Sequence, residues 1–358
     1  MQRKIVFIYE GKEYTPRDLH KNMEPTQSES SKIMEPKKTG MAKYHTTPEK
    51  LKDTIKKYGV AIIPKVLNEK ECADMLDGVW SYFEHITQSW PTPITRKNKD
   101  SWREFSKLYP LHNMLVQHHQ VGHAQVSWDI RQNPNVVNIF AKLWNVEPEE
   151  LLVSFDGMSF GLPPETTNKG WFNKTWYHVD QSFTRNEFEC VQSWVTALDV
   201  MEGDATLAVL EKSNRYHEEF ATKFNITDKS DWYKFEKEQE CFYLNEKGCK
   251  EVRITCGKGD MILWDSRTCH CGVEAKRNRK EPNFRSVIYL CYTPRSLATE
   301  TILKKKKKAL EELRSTSHYP HKSKLFTKNP RTYGQELLAT APINHPILTE
   351  LGKRLAGY

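Results

Sequence analysis

Trp176-Tyr177-His178-Val179-Asp180-Gln181-Ser182 and, further on, Gly259-Asp260-Met261-Ile262-Leu263-Trp264-Asp265-Ser266-Arg267-Thr268-Cys269-His270 decide how this chain is read. In an extended segment successive side chains point to opposite faces, so His178 and Asp180 share one face and Val179 takes the other. The second stretch follows Gly257-Lys258-Gly259-Asp260, which is turn chemistry, and Met261 to Trp264 is a short apolar run suited to a buried strand. His270 therefore arrives at a strand end. Two imidazoles and one carboxylate on one side of a metal leave positions open for a co-substrate and oxygen, the donor set of non-haem Fe(II) chemistry. His178, Asp180 and His270 are the expected metal ligands and catalytic centre.

Asn283-Phe284-Arg285-Ser286-Val287-Ile288-Tyr289-Leu290-Cys291-Tyr292 places one arginine at the head of a β-branched and aromatic strand. Its planar fork of donors suits a carboxylate, and a dicarboxylate co-substrate reaching Arg285 would relieve the cost of burying it alone. Gln192 and Trp194 lie on the strand expected beside the His178 strand, and Gln192 is a candidate co-substrate contact.

These segments, with Glu189-Cys190-Val191-Gln192 and Leu210-Glu211-Lys212-Ser213-Asn214-Arg215 between them, resemble the core of the phytanoyl-CoA dioxygenase family over roughly residues 50 to 297. The resemblance implies a mainly β fold with flanking helices, a double-stranded β-helix of the cupin or jelly-roll kind. It implies Fe(II) held by His178, Asp180 and His270, with 2-oxoglutarate and O2 as co-substrates and Arg285 on the distal carboxylate. The chain departs from the family at Glu211 to Asn214, where many members carry a Pro-Gly-Ser-His turn, and at Gly272, where Ser or Thr is common. The expected activity is hydroxylation of a small-molecule or lipid-like substrate with release of succinate and CO2.

The chain has 358 residues, 38% hydrophobic and 11% aromatic, enough to bury a large core. No apolar stretch approaches the roughly 20 residues needed to cross a bilayer, and Ile5 to Tyr9 is too short for a signal peptide, so an intracellular location, cytoplasmic or nuclear, is expected. Eight cysteines without a paired framework read as free thiols. Cys269-His270-Cys271 lacks a C-x-x-C partner, and alternation turns both cysteines away from the histidine. Residues 1–45 read as a flexible N-terminal arm, 46–297 as the oxygenase domain with N-terminal helices, and 298–358 as a basic helical extension.

The net charge of +8 resides in that extension, which has 12 Lys and Arg against 4 Asp and Glu from residue 301. Lys304 to Lys308 would suit nucleic acid, although a solvated helix start explains the run as well. Two alternatives stay open: a nucleic-acid- or protein-modifying oxygenase that uses this segment, and a cupin-like metal protein without 2-oxoglutarate chemistry. Helices are expected after Thr47, after Asn68 and over 133–144, and a helical insertion over 216–242 is expected at the barrel mouth. Among lesser candidates, His118, His119 and His123 read as loop residues and Arg267 as a partner of Asp265. His217 could line the mouth; Arg131 could approach the substrate, although an ion pair with nearby Asp129 is the commoner reading, and Asp156 and Ser159 could face the pocket, with hydrogen bonding at the strand end as the default.

Overall fold

The computed structural model describes residues 40–358 and, in the N-terminal segment, the paired strands Phe7–Tyr9 and Lys12–Tyr14. The expected arm falls outside the described residues except for those strands and its last six positions. Those six do not behave as an arm: Ala42–Tyr44 forms a 3-10 turn with Tyr44 fully buried, because Thr46 N–H pairs with Ile62 O beside it.

Two antiparallel sheets face each other. The larger runs Val60–Ile63, Met261–Asp265, Val191–Thr196, Arg285–Pro294, Met158–Gly161, Leu115–Val116, with Leu151–Val153 on the far half of Arg285–Pro294. The smaller runs Tyr233–Lys234, His178–Val179, His270–Val273, Thr206–Leu210, Glu251–Arg253. From Met158 onward the chain passes repeatedly from one sheet to the other, which is the winding of a double-stranded β-helix.

Alternation sorts the side chains. On Val191–Thr196, Val191 and Val195 face a helical layer that includes Met75, Phe83, Val136 and Phe140, while Trp194 faces inward against Val209, Ile262 and Val287. On the smaller sheet Val179, Ala208, Leu210, Cys269 and Cys271 face outward, so His178 and His270 project into the barrel. The helical layer starts where its caps predict. Asn68 and Glu71 form a capping box on Glu69–Ile86, and Asn133 caps Pro134–Trp144.

The insertion over 216–242 is only partly a mouth element. Phe220, Phe235, Phe242 and Tyr243 cover the outer face of the smaller sheet, and Tyr233–Lys234 adds an edge strand to His178–Val179. The segment after residue 298 is likewise built into the core rather than appended. Glu300–Glu311 is a helix capped by Thr299, and the lysine run on it is divided between faces. Lys306 is fully buried, donating to Val153 O with its ammonium 4.0 Å from the Phe155 ring centre, which corrects the solvated reading of the whole run. Among the described residues no helix is long and apolar enough to cross a membrane.

Candidate metal centre

His178 and Asp180 come from one short strand and its first following residue, and His270 pairs directly across from His178 on the neighbouring strand. Ligand atoms of the three lie within 4.8 Å of one another, and no other such group occurs among the described residues. His178 Nε2 stands 3.7 Å and His270 Nε2 3.1 Å from Asp180 Oδ2. Both rings turn Nδ1 toward a backbone carbonyl, Trp176 O at 3.4 Å and Thr268 O at 2.9 Å. That fixes the tautomer with the proton on Nδ1 and leaves the Nε2 lone pairs facing the carboxylate.

The electrostatics agree. Burial first, and then His270, pushes the His178 imidazole down to about 3, so it is neutral near pH 7. Burial alone would raise the Asp180 carboxyl, but its surroundings, His318 foremost, hold it well below the usual carboxylate range. Lone pairs and a carboxylate aimed at one point without protons between them are a donor set for a cation. One contact competes with it: the Trp264 indole N–H donates to His270 Nε2 at 3.2 Å.

Gln192, expected at the co-substrate, donates its amide to Asp180 Oδ2 at 2.7 Å and reaches Ser266 Oγ at 3.4 Å. Its amide N–H is therefore directed at the carboxylate of the candidate metal site. Arg285 is 3% exposed and its side chain is held by Ser159 Oγ at 2.9 Å and Ala205 O at 3.1 Å, with its guanidinium carbon 5.3 Å from the Trp194 ring centre. Among the described residues no carboxylate lies within ion-pair distance of it. Ser159, 1% exposed, positions the arginine.

Arg285 opens on a small cavity shared with His112, Met114, Gly161, Ala205 and Glu274. At about 20 Å³ it holds roughly one water, so a larger ligand enters only when a wall moves. Arg279, paired with Asp204 at 3.0 Å and Glu165 at 2.5 Å, latches the wall segment that carries Glu274 and Asn283. Gly272 also has its reason here. A Cβ would lie 3.1 Å from Met114 Cε, space that a side chain at this position would need.

The other candidates are structural. His118, His119 and His123 bond to the carbonyls of Thr327, Leu108 and Arg314. Arg131 is fully buried and braces the backbone, donating from Nη1 to Gly122 O and from Nη2 to Asp156 O, while its Nε is buried without a partner. Arg267 pairs with Asp265 at 2.7 Å. His217 bonds Ser182 O and stacks on Phe183.

Several residues around the triad were not singled out from sequence. Trp176 lies parallel to His178 at 4.8 Å and to His112 at 4.0 Å, a three-ring stack from the Arg285 cavity to the candidate metal site. Its position two before His178 was a usable signal, since period-two residues share a face. Trp232 sits 5.9 Å from the His178 ring, and Tyr319 O–H reaches Asp180 O at 3.4 Å. The residue before it, His318, holds its Nε2 buried without a hydrogen-bond partner.

No family model matches the sequence. The chain is 31% identical over 210 residues to Ava biosynthesis cluster protein O of Aspergillus versicolor, which takes in 56% of this chain and 65% of that protein. It thus spans less than two thirds of that relative's length. Among solved structures, an oxidoreductase-like protein from Salmonella typhimurium LT2 superposes with a TM-score of 0.57 at 13% identity over 86% of this chain and 82% of that one. A hypothetical protein from Escherichia coli does so with a TM-score of 0.54, also at 13% identity, over 86% and 82% of the two chains. At these identities the likeness establishes a shared fold and leaves the chemistry to the site.

Proposed function

We propose that the chain is an Fe(II)- and 2-oxoglutarate-dependent oxygenase that hydroxylates a small-molecule substrate, kin to the phytanoyl-CoA dioxygenase family. The observation that carries the proposal is the convergence of two imidazole lone pairs and the Asp180 carboxylate on one point, with a buried arginine lacking a countercharge nearby. The donor chemistry fits Fe(II), since two imidazoles and one carboxylate occupy one side only. With iron, 2-oxoglutarate and O2 bound, such a centre oxidises an unactivated C–H bond while the keto acid becomes succinate and CO2.

The protein's own contributions are placement and protection. His178, Asp180 and His270 hold the metal, and Gln192 keeps Asp180 Oδ2 oriented through its amide. Arg285, steadied by Ser159, turns its remaining donors to the distal carboxylate of 2-oxoglutarate. The spacing suits that molecule: Ala205, which bonds Arg285, precedes Thr206, whose partner Val273 lies three residues, roughly 10 Å of strand, from His270. Leu207, Val209 and Val287 line the barrel between the sheets and exclude water. Succinate formation by the purified chain with Fe(II) and 2-oxoglutarate tests the proposal. It should be lost with Asp180→Ala, and turnover that survives this change counts against it.

A further inference from the structure

Trp232 has an unusual combination of properties. It is 54% exposed, the backbone φ is +68°, and its N–H is tied to Asp180 O at 3.1 Å. Glycine adopts that backbone region freely, whereas a bulky side chain rarely does. An isolated exposed aromatic is ordinary on a protein surface. This one is held in a strained conformation by the residue that supplies the metal carboxylate, with its ring 5.9 Å from that of His178. The edge strand Tyr233–Lys234 pairs with Val179 and His178 and so fixes the register that sets Trp232 opposite Asp180. Neither packing nor solubility calls for an indole there, and strain of this kind gathers at functional sites.

We propose that Trp232 is a substrate platform: the face of its indole receives a planar aromatic or conjugated small molecule beside the metal centre. A second indole, Trp176, lies parallel to His178, so the ligand ring is already bordered by flat apolar surfaces that favour a flat partner. The location of the reaction rests on the oxygenase proposal, whereas binding to the platform does not.

The test uses indole as a flat probe and cyclohexanol as a puckered one, titrated by NMR against the full chain, metal-free and also loaded with Co(II) and 2-oxoglutarate. Wild type and Trp232→Phe should prefer indole, and Trp232→Ala and Trp232→Gly should lose about three- to tenfold in indole affinity. Co(II) absorption should be the same in all four proteins, and Trp232→Gly should melt no lower than wild type, because glycine relieves the backbone. Unchanged indole affinity in Trp232→Ala, or equal binding of cyclohexanol, overturns the platform. A disturbed Co(II) spectrum with a lower Tm in Trp232→Gly overturns it as well, by making Trp232 structural. Failure to bind Co(II) and 2-oxoglutarate while indole binding still depends on Trp232 strikes the oxygenase proposal and leaves the platform standing.

Discussion

His270 Nε2 lies 3.1 Å from Asp180 Oδ2 while accepting the Trp264 indole N–H at 3.2 Å. A proton on Nε2 would satisfy the carboxylate and oppose the indole, and a lone pair does the reverse. A cation between imidazole and carboxylate settles the conflict and displaces the indole. Metal titration should therefore change tryptophan emission at one equivalent, and Trp264→Phe should bind Co(II) at least as tightly as wild type. Weaker binding in that variant would make the indole a support of the ligand set.

Arg285 offers the second handle. Its Nε is spent on Ser159 and its Nη1 on Ala205 O, so a carboxylate would be gripped by the remaining N–H groups. Arg285→Ala should raise KM for 2-oxoglutarate by about 10- to 100-fold, the worth of charge-assisted hydrogen bonds, with a smaller change in kcat. Arg285→Lys should recover little, since a point charge cannot hold Ser159 and the ligand together. A KM unaffected by Arg285→Ala would move the co-substrate site elsewhere.

Acid should weaken the metal-free fold well before the carboxylates titrate. Burial pushes His123 down to about 3 and both His217 and His321 to about 4. Each folded value lies below the unfolded one near 6.5, so the unfolded chain takes up protons first as pH falls. Stability is thus whole above about pH 6.5 and is lost toward pH 4, by up to about 1.4 kcal/mol per pH unit for each histidine. Tm should drop by several degrees between pH 7 and pH 5, and a flat profile would contradict the neutral, buried state of these rings.

Lys306 separates charge from packing. Burial, and then Arg131, pushes its ammonium down to about 7, and one carbonyl is its hydrogen-bond partner. Lys306→Met keeps the stem over Phe155 and should be neutral or stabilising at pH 7. The folded value lies below the unfolded one near 10.5, so the wild type gains stability as pH rises from 7 to 10 and the advantage of the variant should shrink. Exposed Lys304 and Lys308 should tolerate Gln within about 0.5 kcal/mol. Destabilisation by Lys306→Met of more than that would make the charge itself necessary.

The triad was legible because the period of two is rigid. Val179 and Cys269 and Cys271 had to leave the face that His178, Asp180 and His270 share, and they pack outside. The helix starts at Asn68 and Asn133 were legible for equally local reasons. Gln192 was found, but its hydrogen bond to Asp180 was not, since one sequence does not say which inward side chains meet each other. His318, Tyr319 and Lys306 were out of reach because tertiary pairing decides them: Thr316 N–H bonds Phe155 O and draws the tail across the barrel. Trp232 owes its place to an edge strand of two residues, too short to leave a periodic mark.

Anaerobic addition of Fe(II) and then 2-oxoglutarate to the purified chain tests the central claim most directly. A metal-to-keto-acid charge-transfer band should appear in wild type with one iron per chain and be absent when His178, Asp180 or His270 is replaced by alanine. No band in a protein that binds iron, or a band that persists in Asp180→Ala, would contradict the account.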